Sequence, residues 1–343
     1  VDEETGMTGA VAIKPGWLKG QVLLNLDSED EGELCIGCAG GLDATFSLAY
    51  KEQAAVAGGA AFKLGVTGLK GGHSGVDIAL GRGNANKVIA RVLKRLAELL
   101  GVQVASLEGG NLRNAIPREA FAVVVVPSMA IGSFAMEVSA MEATIAEELK
   151  AVDGELRLTL ARTEPPKMVA DDAALRRLLN ALCACPNGVI RMSDPMPGLV
   201  ETSSNLAIVS AKEGLLQASC LLRSSVNSAK EYLSECMEAV FTLAGGQSRF
   251  AGGYPGWQPN PHSPILKVMR ALYEQLYGAK PHVRAVHAGL ECGLLGGIYP
   301  NLDMISFGPT ILNPHSPDER VEIATVDKWW KFLLATLENA PVA

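Results

Sequence analysis

The sequence predicts an α/β protein built from more than one domain, and three observations carry this. The chain has 343 residues, more than one core usually organises. Short apolar segments alternate with amphipathic helical patterns along its whole length. Residues 251–261 are dense in Gly and Pro, as at a hinge between units.

Taken in order, residues 22–26 read as a strand ending at Asp27, followed by an acidic turn over 28–33. A strand over 60–69 leads into Gly71-Gly72-His73-Ser74-Gly75. Asn84 then caps a helix whose apolar stripe is Val88, Val92, Leu96 and Leu99, closed by Gly101. The longest uncharged run, 120–136, approaches membrane-spanning length, but Pro127, Ser128 and Gly132 interrupt it. Its β-branched part, 123–126, reads as a buried strand.

Further on, Phe134, Val138, Met141, Ile145 and Leu149 share a helix face. A third helix starts near Asn227 and carries Leu233, Cys236, Met237, Val240 and Phe241 up to Gly245-Gly246. Beyond the hinge come a helix over 264–277, a strand over 304–307 and a polar loop over 308–320. A last helix is capped at Thr325, with Val326, Trp329, Trp330, Leu333 and Leu337 on one face. A strand, an Asn-containing turn and a long helix occur near 60–100 and again near 215–244, a weak echo that suits two similar α+β units.

Hydrophobic content of 48% with 20% charged residues is that of a globular protein. A net charge of −7 with no basic block argues against nucleic acid or an anionic membrane as partner. Seven scattered cysteines suit a reducing compartment, and Cys35 and Cys38 read as small core residues, since no second pair with zinc-finger spacing follows. No leader pattern is read at the start, so the chain is expected to be soluble and cytoplasmic.

The chemistry is constrained by having only five histidines. His315 lies on a Pro-bracketed polar loop after a strand, poised as a metal ligand or general base, or else as a capping or surface residue. His73 lies among glycines that let the backbone approach a ligand closely; it is either an oxyanion donor or a turn residue. His262 and His282 read as structural or exposed. His287 stays open, because its Gly-bounded loop, with Glu291, could line a pocket.

Glu3 and Glu4 are adjacent carboxylates, which can divide the work of holding a metal and taking a proton from water. Plain solvation of a charged end is the other reading. Asp27, at a strand end, has the position of a further oxygen ligand. Nucleophile-elbow, zincin and phosphate-loop motifs are absent.

Six ordered blocks then resemble one family. They are Asp-Glu-Glu-Thr-Gly-Met at 2–7, Asn-Leu-Asp-Ser-Glu-Asp at 25–30 and Gly-Leu-Lys-Gly-Gly-His-Ser-Gly at 68–75. The others are Gly-Arg-Gly-Asn-Ala-Asn at 81–86, His-Ala-Gly-Leu-Glu-Cys-Gly at 287–293, and Phe-Gly-Pro-Thr at 307–310 running into 315–320. Together they resemble the aminoacyl-histidine dipeptidase branch of the M20 metallopeptidases, from residue 1 to the last helix.

The resemblance implies a zinc-peptidase-like catalytic α/β domain, with its sheet incomplete, interrupted by a two-part α+β lid and dimerisation domain. The catalytic segments would be 1–42 and 254–343, and the lid 43–253. It implies two zinc ions per subunit, with cobalt or manganese as substitutes, and a homodimer that hydrolyses dipeptides such as Xaa-His. Glu3 would be the general base, Glu4 and His315 would bind one metal, and Asp27 the other. His73 would stabilise the oxyanion and Arg223 would grip the substrate carboxylate, with Asn114 and Glu291 as further substrate contacts. The family's H-x-D segment and bridging aspartate lie before its Glu-Glu motif, so the expectation is an N-terminally shortened chain with a depleted metal site. An amidase acting on N-acyl amino acids, or an inactive dimerising module, are the alternatives.

Overall fold

The computed structural model describes residues 7–314 and 316–341. A short helix α1 (Thr8–Val11) precedes strands β1 (Val22–Asn25), β2 (Glu33–Cys38), β3 (Gly40–Ala49), β4 (Glu52–Ala54), β5 (Ala60–Thr67) and β6 (Gly72–His73). Then come α2 (Ala85–Leu100), β7 (Gln103–Gly109), β8 (Ala115–Ile116), β9 (Ala120–Val126), α3 (Ile131–Leu149), β10 (Arg157–Arg162) and β11 (Met168–Ala170). Next are α4 (Asp172–Ala184), β12 (Gly188–Met192), β13 (Val200–Lys212), β14 (Leu215–Ser224), α5 (Asn227–Leu243) and β15 (Gln247–Tyr254). The chain finishes with α6 (Pro264–Tyr277), β16 (His282–Val286), α7 (Glu291–Ile298), β17 (Asp303–Ser306), β18 (Ile311–Leu312), β19 (Arg320–Val321) and α8 (Ile323–Glu338).

Two sheets organise these elements. The smaller runs β1-β17-β2-β16, with β1 parallel to β17 and β16 parallel to β2. Its central strands, β17 and β2, are largely buried on both faces, because helices cover both. Leu34, Ile36 and Ile305 point toward α6 and α8, while Cys35, Cys38 and Met304 pack with Cys292 and Leu295 of α7. Cys35 and Cys38 are therefore core residues, as expected, and burial pushes the Cys38 thiol up to about 12.

The larger sheet runs β10-β5-β9-β7-β13-β14-β3-β15, with β12 added on β13. It consists of two βαββαβ units laid edge to edge. In chain order the first is β5, α2, β7, β9, α3 and β10; the second is β3, α4, β13, β14, α5 and β15. Both have strand order 4-1-3-2. The whole first unit is inserted between β3 and α4 of the second. Residues 107–109 of β7 pair with 209–211 of β13 at the junction. The Lys87 ammonium of α2 donates to the Leu182, Cys183 and Cys185 carbonyls at the end of α4, at 2.8, 2.6 and 2.8 Å. One continuous core underlies both units, including Phe46, Leu64, Ile89, Leu93, Leu206, Leu222 and Phe241.

The structure amends several sequence readings. The echo is real but displaced: β5–α2 corresponds to β3 and α4, which are far apart in sequence, whereas 215–244 holds strand three and helix two of the second unit. In α2, Asn84 is the cap, accepting from the Asn86 and Lys87 amides at 3.0 and 3.2 Å. Leu99, however, is 50% exposed, and Ile89 and Leu93 hold the core, because α2 packs against both units over a broad face. The Gly/Pro stretch begins inside β15, whose pairing with β3 extends to Tyr254. In α8 the cap position is Glu322, and Trp330 and Leu337 face solvent, while Phe332, Leu333 and Thr336 are buried. Thr325 sits within the first turn, its hydroxyl donating to the Glu322 carbonyl at 2.7 Å. The loop after β17 carries the β18–β19 ladder. Among the described residues, no helix is long and apolar enough to cross a membrane.

Candidate active site

Two groups of site residues lie at the boundary between the sheets. The first is built around His73, held by the β6–β8 ladder, in which His73 faces Ala115. The Asp77 carboxylate accepts the His73 backbone amide at 2.8 Å. The ring nitrogen Nδ1 accepts two backbone amides, from Gly75 at 3.2 Å and Val76 at 3.1 Å. A nitrogen that accepts two N–H groups carries no proton, so the ring is the neutral tautomer and presents Nε2–H as a donor. Burial, with the Arg223 cation adding to it, lowers the His73 pKa and keeps this form.

Arg223 is next to last in β14, between Ser203 of β13 and Gly41 of β3. It is 5% exposed, and its Nε has no hydrogen-bond partner among the described residues. A buried, under-satisfied guanidinium is costly unless a ligand completes it.

His287 completes the group from the other sheet, on the loop after β16. It is buried, and its Nε2 lies 2.6 Å from the Ser203 hydroxyl. Burial first, and then the Arg223 charge, pull its pKa down to about 4, so it too is neutral. Gly75 is where the two halves touch. A Cβ there would lie 2.3 Å from the His287 carbonyl oxygen and 3.2 Å from Arg223 Nε, so only glycine lets the loop approach.

The second group lies at the end of β1. Asp27 is exposed two residues beyond the strand. The Asn25 side chain donates to Glu291, the first residue of α7, at 2.7 Å. The segment after β17 packs directly on this end: the Phe307 amide donates to the Asn25 carbonyl at 3.0 Å and the Ile311 amide to the Glu29 carbonyl at 2.8 Å. A Cβ at Gly308 would sit 1.7 Å from the Ser28 carbonyl oxygen, so this loop and the Asp27 loop are in backbone contact. Residues 287–291 bridge the groups, with His287 in one and Glu291 in the other.

Of the residues singled out in sequence, the structure brings His73 and Arg223 together, and Asp27 and Glu291 to one strand end. Asn114 is exposed, and its carbonyl accepts the Ser74 amide at 2.8 Å. Glu3, Glu4 and His315 lie outside the described residues. Ser203 was missed, although it belongs to a polar run, 201–205, whose members are all buried inside a strand. Five consecutive polar residues inside a strand are a legible signal, because a strand that only packed would carry apolar side chains there.

The fit to a metal can be tested on donor chemistry. A carboxylate is in place at Asp27, and oxygen donors of this kind suit a divalent cation. Among the described residues no three His, Cys, Asp or Glu side chains form a ligand set; of the expected ligands, Asp27 alone falls within the described residues.

Comparison with known proteins adds an independent line. Residues 64–153 match the peptidase dimerisation domain of the M20 peptidases, covering most of the first βαββαβ unit. The cytosol non-specific dipeptidase of Escherichia coli K12 is 42% identical over 339 residues, covering 99% of this chain and 70% of that protein. The structure of the aminoacylhistidine dipeptidase from Vibrio alginolyticus superposes with a TM-score of 0.97 at 45% identity, over 100% of this chain and 70% of that one. The fold, the dimerisation-domain match and this identity leave one assignment: the chain belongs to the M20 metallopeptidases, peptide hydrolases dependent on a divalent metal, in the branch that contains these two dipeptidases.

Proposed function

We propose that this protein hydrolyses dipeptides, Xaa-His among them, with His73 and Arg223 supplied by the chain's own lid. The observation that carries this reading is the convergence of His73, Arg223 and His287 across Gly75, within one chain. The lid is taken as residues 43–253, and the catalytic segments as 1–42 and 254–343. The assembly is a homodimer in the cytoplasm.

Glu4, Asp27 and His315 would hold the metal, taken as two zinc ions with cobalt or manganese as substitutes; when bound it polarises the scissile carbonyl and acidifies the attacking water. Glu3 takes the proton from that water and passes it to the leaving amine. The His73 Nε2–H donates to the oxyanion that develops as the carbonyl becomes tetrahedral. Arg223 pairs with the free carboxylate of the substrate, a planar cation facing a planar anion. Because that carboxylate completes the buried guanidinium beside His73, substrates are restricted to those whose free carboxylate lies one residue beyond the scissile bond, as in a dipeptide. Asn114 and Glu291 line the approach.

The test pairs a substrate panel with one substitution. Xaa-His dipeptides are expected to be cleaved in preference to N-acyl amino acids, and the reverse order would turn the assignment to an amidase. His73→Ala is expected to lower kcat by roughly 10²–10³ while KM changes little, the cost of one oxyanion donor. An unchanged kcat would remove His73 from the chemistry.

A further inference from the structure

His73 works through the placement of one ring nitrogen, and the contacts that fix it extend beyond its own turn. β6 and β8 are each two residues long, too short to hold one another without support. Two carbonyls at the start of β8 are bound from the second lid unit. The side-chain amide of Asn205, in β13, donates to the Arg113 carbonyl at 3.2 Å and to the Ala115 carbonyl at 2.7 Å. Ala115 is the residue paired with His73. Asn205 is fully buried, at 0% exposure.

Its own oxygen is bound in turn. The Asn84 side-chain amide lies 3.3 Å from Asn205 Oδ1 and 3.0 Å from Asn187 Oδ1, and the latter also accepts the Leu206 backbone amide at 2.8 Å. Asn84 is simultaneously the cap of α2. A chain of amides thus runs from the helix cap of the first unit, through β13 of the second, to β8, the strand paired with His73. A strand interior that needed only packing would hold an apolar residue at 205, since a buried amide is unfavourable unless every polar atom is met. Here both ends of the amide are met: its NH2 holds the His73 ladder and its oxygen is held by the Asn84 cap.

We propose that Asn205 is a positioning residue for His73, acting through β8 and anchored by Asn84 and Asn187, and that this network makes the junction of the two lid units part of the active-site framework. Its catalytic meaning rests on the reading of His73 as the oxyanion donor.

The test reads the ring directly, on the full chain labelled with ¹⁵N-histidine. Long-range ¹H–¹⁵N spectra report which imidazole nitrogen is protonated, and the His73 signal is identified by its loss in His73→Gln. The parent is expected to show a single Nε2–H tautomer. Asn205→Ala is expected to turn this into an averaged two-tautomer pattern, while the exposed His262 and His282 keep theirs. An unmoved His73 pattern overturns the proposal. If Asn205→Ala gives no dispersed spectrum, Asn187→Ala removes only the outer acceptor; it is expected to broaden the His73 signal, and an unchanged signal again overturns the proposal. The tautomer needs no turnover, so the two ideas fail separately. A His73→Gln variant with full kcat removes the oxyanion role, whereas an unmoved tautomer removes the positioning role.

Discussion

The two sheets solve the problem of holding a site in different ways. In the larger one, a single core runs beneath both units, and the residues facing the site are fixed on strands or in backbone-clamped turns: Arg223 and Ser203 in β14 and β13, His73 by three hydrogen bonds involving backbone amides and by its ladder pairing. In the smaller one, two separate clusters lie on opposite faces, and Asp27 and His287 sit on loops that leave strand ends. Rigid placement suits groups that recognise charge at fixed distance. A strand-end loop suits an oxygen ligand that must adapt to a cation, the role proposed for Asp27.

The largest expected effect that would break this comparison is at Arg223. If it is a pre-positioned carboxylate receptor, Arg223→Leu lowers kcat/KM for dipeptides by about 10³, mostly through KM, because a buried charge pair loses one partner. A tenfold loss or less would place the carboxylate elsewhere.

Next is the continuity of the lid core. Leu93→Ala, at a fully buried position of α2, the helix that contacts elements of both units, is expected to cost about 3 kcal/mol and to lower a single cooperative transition in a denaturation experiment. Two separated transitions would show that the units unfold independently.

A comparable effect is expected from His287 on acidification. Its folded pKa of about 4 lies below the ordinary imidazole value near 6.5. The unfolded chain therefore binds more protons between these limits. Stability is unaffected above about pH 6.5, falls as pH drops toward 4 and levels below it, by on the order of 3 kcal/mol. His287→Asn is expected to flatten that part of the stability–pH curve, measured by urea unfolding from pH 7 to 4; an unaltered slope would assign the acid lability to other groups.

The smallest effect concerns the smaller sheet. The Tyr273 hydroxyl donates to Glu31 at 2.8 Å and accepts from Lys328 at the same distance. Tyr273→Phe leaves the Glu31–Lys328 pair in place and is expected to cost about 1 kcal/mol in the same assay, without changing KM.

Local structure was legible in the sequence where one short-range rule decides it. The Asn84 cap, the β-branched strand at 123–126 and the helix from Asn227 are of this kind. Leu99 and Trp330 misled because helical periodicity names an apolar face without saying which neighbours bury it; α2 packs on two units, and α8 turns Phe332 rather than Trp330 inward. The topology was hidden by the insertion: β3 and α4 belong to one unit yet lie on either side of another. In the site, His73 and Asp27 stand in recognisable motifs. The Ser203–His287 contact spans 84 residues, and no local pattern encodes it.

The nesting of one unit inside the other has a consequence for how the chain is made. β3 ends at Ala49, but its neighbour β14 begins only at Leu215. At about 5–20 residues per second of synthesis, β3 waits roughly ten to thirty seconds for that partner. The inserted unit, complete by Arg162, emerges well before then. Of the two units it is therefore the one that can fold first on the ribosome, with the edge of β7 as the template on which β13 is laid.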